Sequence, residues 1–139
     1  METWQEVEAQ ARTLGVEVLA NAVTERITGR FTDAYVADPG SRWWWNTLRE
    51  TAEPMLVRYR DDDAWVVLRG WLAPEGDYIL LVTDEEPEPA GAVRASAQDL
   101  ERLVRECSYF EYVITDERAS FGIFDTHHNV LIAVGALSR

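Results

Sequence analysis

Hydrophobic residues recur at intervals of three or four near the N-terminus, and this spacing predicts a helix over 3–14. Its apolar positions are Trp4, Val7, Ala11 and Leu14. Gly15 ends the pattern, because glycine commonly terminates helices. The segment 16–31 fits two alternatives: a short strand at 16–19, or a second helix over about 19–30.

Two further segments have helical signals. Ser96 followed by Asp99 is typical of a helix start, and apolar residues then follow on one face over 96–106. That face consists of Leu100, Leu103, Val104 and Cys107. Ser41 can cap a helix through 42–50, which would place Trp44, Trp45 and Leu48 on one side.

Runs rich in β-branched and aromatic residues, separated by turn residues, predict strands. They lie at 55–60, 64–72, 77–83, 109–115, 119–124 and 130–135. The first two would form a hairpin around the acidic turn 60–63, and 91–95 could add a short strand. Because helices bracket a run of hairpin-joined strands, without regular alternation of strand and helix, we expect a single α+β domain over 1–139. Its sheet should be mostly antiparallel and five- or six-stranded, with helices packed on one face.

The same patterns predict the core. We expect it to contain Leu14, Trp44, Leu48, Val66, Leu68, Ile79, Leu81, Leu100, Leu103, Phe110, Ile123, Leu131 and Ala133. Val66 depends on the strand interpretation of 64–72, in which alternate residues face the core.

Charge narrows the possible partners. The chain has 25 acidic and 13 basic side chains, a formal net charge of −12. Nucleic acids and anionic membranes are therefore disfavoured as partners, whereas a basic protein is favoured electrostatically. The acidity could equally serve only to keep the protein in solution. Cys107 is the only cysteine, so no internal disulfide forms, and the N-terminus lacks the pattern of a signal peptide. We expect a cytoplasmic protein.

The densest group of potentially reactive residues is the segment Asp125, Thr126, His127, His128 and Asn129. Its histidines could ligate a metal or act as a general base. However, HExxH, CxxC and GxSxG motifs are missing from the sequence, and Asp, Asn and His are common in turns. The sequence favours a hairpin turn, with no metal or other cofactor and no catalytic residue assigned.

Two other segments are candidates for binding. Trp43, Trp44 and Trp45 cannot all face one core from a helix, so at least one should reach the surface, where Trp beside Arg is typical of interaction hot spots. The acidic runs are Asp61, Asp62 and Asp63, and the stretch 84–88. Such runs are usually solvated loops, but they could recognise a basic partner.

The segment 109–112 (Tyr-Phe-Glu-Tyr) and the segment 125–135, which contains His-His-Asn-Val-Leu-Ile-Ala, resemble a family of small uncharacterised bacterial proteins. The Arg-Trp-Trp-Trp segment at 42–45 is similar to that family's tryptophan-bearing middle region. The resemblance implies a bacterial intracellular α+β domain, and the family's His-His pair corresponds to His127 and His128. It implies no activity.

These features favour a non-enzymatic cytoplasmic bacterial binding protein, immunity-like or inhibitor-like, that acts on a basic protein partner through an acidic, tryptophan-bearing surface. The alternative is a small-ligand or metal-dependent enzyme that uses the His127/His128 turn. A pocket with convergent carboxylates and a histidine would favour the enzyme.

Overall fold

The computed structural model describes residues 2–60, 63–84, 89–126 and 128–136. In chain order, its elements are α1 (Thr3–Leu14), β1 (Glu17–Val18), α2 (Asn21–Tyr35), β2 (Met55–Arg58), α3 (Trp65–Trp71), β3 (Asp77–Val82), β4 (Gly91–Ser96), α4 (Ala97–Glu106), β5 (Tyr112–Thr115), β6 (Phe121–Asp125) and β7 (Val130–Gly135). Short 3₁₀ turns lie at Trp44–Asn46 and Glu50–Ala52. The helices predicted at 3–14 and 96–106 are confirmed, with Ser96 capping α4 by accepting the Asp99 N–H at 3.1 Å.

The described strands form one antiparallel sheet in the order β1-β4-β3-β5-β6-β7-β2. This confirms the α+β class and the antiparallel sheet, but the predicted count of five or six strands is wrong because the sheet has seven. The segments 16–19 and 91–95, each only a possible strand from the sequence, correspond to β1 and β4. These strands pair with each other, with Val18 opposite Val93. The ambiguous 16–31 segment contains both alternatives, strand β1 and then helix α2.

Helices cover both faces of the sheet, so the prediction of helices on one face is also wrong. Along β3, Leu80 packs with residues of α1, α3 and α4, whereas its neighbours Ile79 and Leu81 pack with residues of α2. The strands therefore bury both sides, which is why several read as continuous hydrophobic runs rather than as alternating ones.

The predicted strand at 64–72 is helix α3, so the hairpin predicted between 55–60 and 64–72 is also wrong, and β2 pairs with β7 instead. Trp65, Leu68 and Leu72 are buried at helical spacing, whereas Val66 is 64% exposed. The run contains apolar residues on nearly every side of the helix, so its composition resembles that of a strand. Among the other predicted core residues, Leu14 and Leu48 are partly buried and the remaining ten are buried.

The helix predicted over 42–50 is replaced by the two 3₁₀ turns. The reason is pairing with the end of α2: the Arg49 N–H donates to the Tyr35 carbonyl at 2.9 Å, and the Ala37 N–H donates to the Thr47 carbonyl at 2.7 Å. These bonds hold the backbone extended near Leu48, which forms an isolated bridge with Val36. The tryptophan segment is thereby positioned as a loop on the α2 face of the sheet.

Candidate functional site

Two candidate sites lie at the end of the sheet where β5 begins and β6 ends. Tyr112 and Asp125 are directly opposite in the antiparallel register, so their side chains lie on the same face. That face is the one covered by α1, α3 and α4. Glu111 precedes Tyr112 and interacts with tryptophans that pack on the opposite, α2 face. The two sites are therefore back to back across the sheet.

The first site is the Glu111 clamp, formed by Trp43, Trp45 and Glu111. The indole N–H of Trp43 donates to Glu111 Oε2 at 3.1 Å, and that of Trp45 donates to Oε1 at 3.2 Å. Glu111 is only 6% exposed, so these bonds offset the cost of burying its carboxylate. The two rings lie 6.0 Å apart and are tilted by 32°.

The three consecutive tryptophans have different environments. Trp44 is a core residue that stacks on Phe31 with centroids 6.0 Å apart, and its indole N–H donates to the Pro39 carbonyl at 3.0 Å. Trp45 is partly buried, and Trp43 is 37% exposed with the Arg42 guanidinium 5.7 Å from its ring centroid. The expectation that at least one of them reaches the surface is confirmed.

His128 lies in the β6–β7 connection and not in a convergent cluster with Asp125. Its backbone N–H donates to Thr126 Oγ1 at 3.2 Å, and Asn129 has a left-handed φ of 57°. The His128 ring meets Trp45 edge-on at 5.8 Å, on the side of the Glu111 clamp. His127 lies outside the described residues. Among the residues that the structure describes, no group of three His, Cys, Asp or Glu side chains could hold a metal ion.

Asp63 is the described member of the acidic turn, since Asp61 and Asp62 lie outside the described residues. Its Oδ1 accepts the Trp65 backbone N–H at 3.2 Å, which stabilises the start of α3. The same carboxylate forms an ion pair with Arg105 at 3.2 Å. Asp63 therefore links α3 to α4, and much of its charge is neutralised by Arg105.

The second site is the Asp125 pocket, a cavity of about 290 Å³ that opens to the surface. Aromatic side chains dominate its wall: Tyr59, Trp65, Tyr109, Phe110 and Tyr112. Asp125 is 5% exposed, and its Oδ1 accepts the Tyr59 hydroxyl at 2.7 Å. At the mouth, the Tyr109 hydroxyl donates to the Thr126 carbonyl at 2.6 Å. The Asp63–Arg105 ion pair forms part of the rim.

Burial sets the protonation of this pocket. Loss of solvation raises the pKa of Asp125 to about 6, against the opposing effect of the Tyr59 hydrogen bond and the neighbouring Tyr112 hydroxyl. Burial, with the nearby Asp125 charge, raises the pKa of Tyr112 well above its ordinary value. Burial likewise raises the pKa of the Cys107 thiol to about 11, so this pocket residue is a thiol at neutral pH and a poor nucleophile.

Of the residues in these two sites, the sequence predicts Asp125, Trp43 and Trp45 as candidates. Glu111, Tyr59, Trp65 and Tyr112 are not predicted. Glu111 sits in a predicted strand between two aromatic residues, and a carboxylate in such a hydrophobic run is a signal of a buried, hydrogen-bonded acid. Tyr59 and Trp65 come from segments distant from Asp125 in the chain, and no local pattern connects them.

Comparison with protein-family models, with curated proteins and with solved structures gives no match for this chain. No helix in the described part of the chain has both the length and the apolar character needed to cross a bilayer.

Proposed function

We propose that this protein is a cytoplasmic bacterial binding protein that acts without catalysis, by contact with a basic protein partner, as an immunity-like or inhibitor-like module. The observation that carries the proposal is the state of Trp43. Trp43 is 37% exposed, yet its indole N–H donates a hydrogen bond to the buried Glu111 carboxylate. A large aromatic surface is thus presented to solvent in a fixed orientation.

Fixing the orientation matters because association loses side-chain entropy, and a side chain that is already ordered loses less of it. Trp45 contacts the Trp43 ring, and Arg42 lies over it at 5.7 Å. Tryptophan and arginine are the residue types most enriched among interface side chains that dominate binding energy. Arg42 and Trp43 therefore have the composition and rigidity of an interface anchor.

The charge of the chain supports a basic partner. The formal net charge of −12 attracts a positively charged protein over distances up to about the screening length of 8 Å at physiological salt. Asp84 begins the acidic run 84–88, and its Oδ1 accepts the Glu111 N–H at 2.9 Å. An acidic run thus begins next to the Glu111 clamp.

The proposal can be tested by capture from the native cell. Wild-type protein and the Trp43→Ala variant serve as parallel baits, with Leu56→Ala as the control because Leu56 is 63% exposed on the edge strand β2. We expect the wild-type and Leu56→Ala baits to recover a basic protein that the Trp43→Ala bait does not recover. Recovery of the same proteins by all three baits, or of an acidic partner only, would contradict the proposal.

The alternative, a small-ligand or metal-dependent enzyme that uses His127 and His128, has weaker support. His128 packs edge-on against Trp45, and its backbone forms part of the turn. The feature that favours a small ligand is instead the Asp125 pocket on the opposite face of the sheet.

A further inference from the structure

The Asp125 pocket contains two buried polar groups without hydrogen-bond partners. By hydrogen-bond geometry, neither the Trp65 indole N–H nor the Tyr112 hydroxyl has a partner among the described residues. Tyr112 does lie close enough to Asp125 and Trp65 to interact with both, but neither approach has the geometry of a hydrogen bond. Trp65 is 3% exposed and Tyr112 is 2% exposed, and both line the cavity. Burying a donor without a partner destabilises the fold, so native proteins rarely keep one without a reason. An oxygen acceptor of a bound molecule would satisfy the Trp65 N–H.

The charge and the walls of the pocket favour a ligand that also carries a positively charged group. Asp125 supplies a buried carboxylate, and aromatic faces surround it. Carboxylate and aromatic faces together attract cations, because ring quadrupoles are negative on the face. The volume of about 290 Å³ lies near the lower end of the range for small-molecule sites.

The other charged groups near Asp125 do not reverse this preference. Glu111, which contributes a further negative potential to Asp125, lies across the sheet. On the α3–α4 side the only lining cation among the described residues is Arg105, and it is bonded to both Asp63 and Glu101. The pocket therefore retains an excess of negative charge.

We propose that the Asp125 pocket binds a small organic ammonium ion that also carries an oxygen acceptor. Asp125 would pair with the ammonium group, the aromatic walls would cover its alkyl substituents, and the Trp65 N–H would donate to the oxygen. Tyr59 positions the carboxylate through its 2.7 Å hydrogen bond. This site is separate from the Glu111 clamp that holds Trp43, because the pocket and the clamp lie on opposite faces of the sheet.

The test is a titration of the full chain with choline and ethanolamine, followed by tryptophan fluorescence and ligand-observed NMR. The uncharged isostere of choline, 3,3-dimethylbutan-1-ol, is the matched control ligand. We expect saturable binding of an ammonium compound, at least about tenfold weaker binding of the isostere, and a similar loss in Asp125→Asn. Trp65→Phe keeps the aromatic wall and removes the N–H donor, so it should weaken choline binding without abolishing it.

A control variant is Asp99→Asn, which neutralises a partly exposed carboxylate of α4 that pairs with Arg102 and does not line the pocket. It should bind choline like wild type. Equal affinity for choline and its isostere, unchanged affinity in Asp125→Asn, or no saturable ammonium binding up to about 10 mM would each overturn the proposal. Circular dichroism and a melting curve of each variant establish that it is folded.

Discussion

Tyr112 and Asp125 are directly opposite each other on β5 and β6, and both side chains are buried beneath α3 and α4. The strand register places the Tyr112 phenol beside the Asp125 carboxylate. The Tyr59 hydroxyl, which follows β2, donates a 2.7 Å hydrogen bond to the same carboxylate. Because the carboxylate is largely removed from water, its charged form is disfavoured. Keeping this carboxylate charged therefore lowers the stability of the folded protein.

The raised pKa of Asp125 predicts that the free energy of unfolding depends on pH. The pKa of Asp125 rises from 3.8 to about 6 on folding, so the folded protein binds this proton more tightly than the unfolded chain. The contribution of Asp125 to the stability of the folded protein is greatest below about pH 4 and is lost as the pH rises through about 6. The full penalty is about 3 kcal/mol.

Asp125→Asn should remove this penalty while keeping an acceptor for Tyr59. We expect the variant to be more stable than wild type above about pH 6, with the difference shrinking as the pH falls towards 4. Urea melts of both proteins at several pH values measure it. A stability difference that does not change with pH would show that Asp125 ionises normally in the folded protein.

Glu111 should contribute to stability through its two indole bonds. Glu111→Gln keeps one acceptor oxygen but sets an amide N–H₂ against one of the indole donors, which should cost about 1–3 kcal/mol. The exposed Glu25 on α2 provides the control, and Glu25→Gln should change the unfolding free energy by less than about 0.5 kcal/mol. If both changes cost the same in denaturant melts, the Glu111 clamp does not order the tryptophans.

Val66→Ala tests whether α3 is a helix, and Leu103→Ala on α4 gives the cost of truncating a buried side chain for comparison. Leu103 of α4 is fully buried, and Leu103→Ala should cost about 2–5 kcal/mol. Val66 is 64% exposed on α3, and Val66→Ala should be nearly neutral because alanine favours a helix. A loss above about 1 kcal/mol for Val66→Ala would instead support the buried strand that the sequence suggested.

The sequence predicted α1 and α4 because their apolar residues recur at helical spacing between end signals, and it predicted β7 because that short run is rich in β-branched residues. It failed at 64–72, since a helix with apolar residues on nearly every side has the same composition as a buried strand. It also failed at Leu48, where pairing with Val36 overrides the local helix signal. The candidate sites were found only in part, because Tyr59, Trp65 and Asp125 meet through β2–β7 pairing and α3 packing, which no local pattern encodes.

Electrostatic steering makes a kinetic prediction for the basic partner. The association rate should fall as ionic strength rises, and Glu85, Glu86 and Glu88 changed together to Gln should lower it at low salt. Asp63→Asn should affect the association rate less, because Asp63 already pairs with Arg105. Stopped-flow association at several salt concentrations measures these rates. An association rate that is independent of salt in every protein would reduce the acidity to a solubility device.

The most direct measurement of the binding role is the dissociation rate of the captured partner from Trp43→Ala, compared with Leu56→Ala. Both variants lose an exposed apolar side chain, but only Trp43 is held by a buried carboxylate. We expect the partner to dissociate from Trp43→Ala at least about tenfold faster than from wild type, and from Leu56→Ala within about twofold of the wild-type rate. Equal dissociation rates for the two variants would contradict the assignment of Trp43 as the anchor of a protein interface.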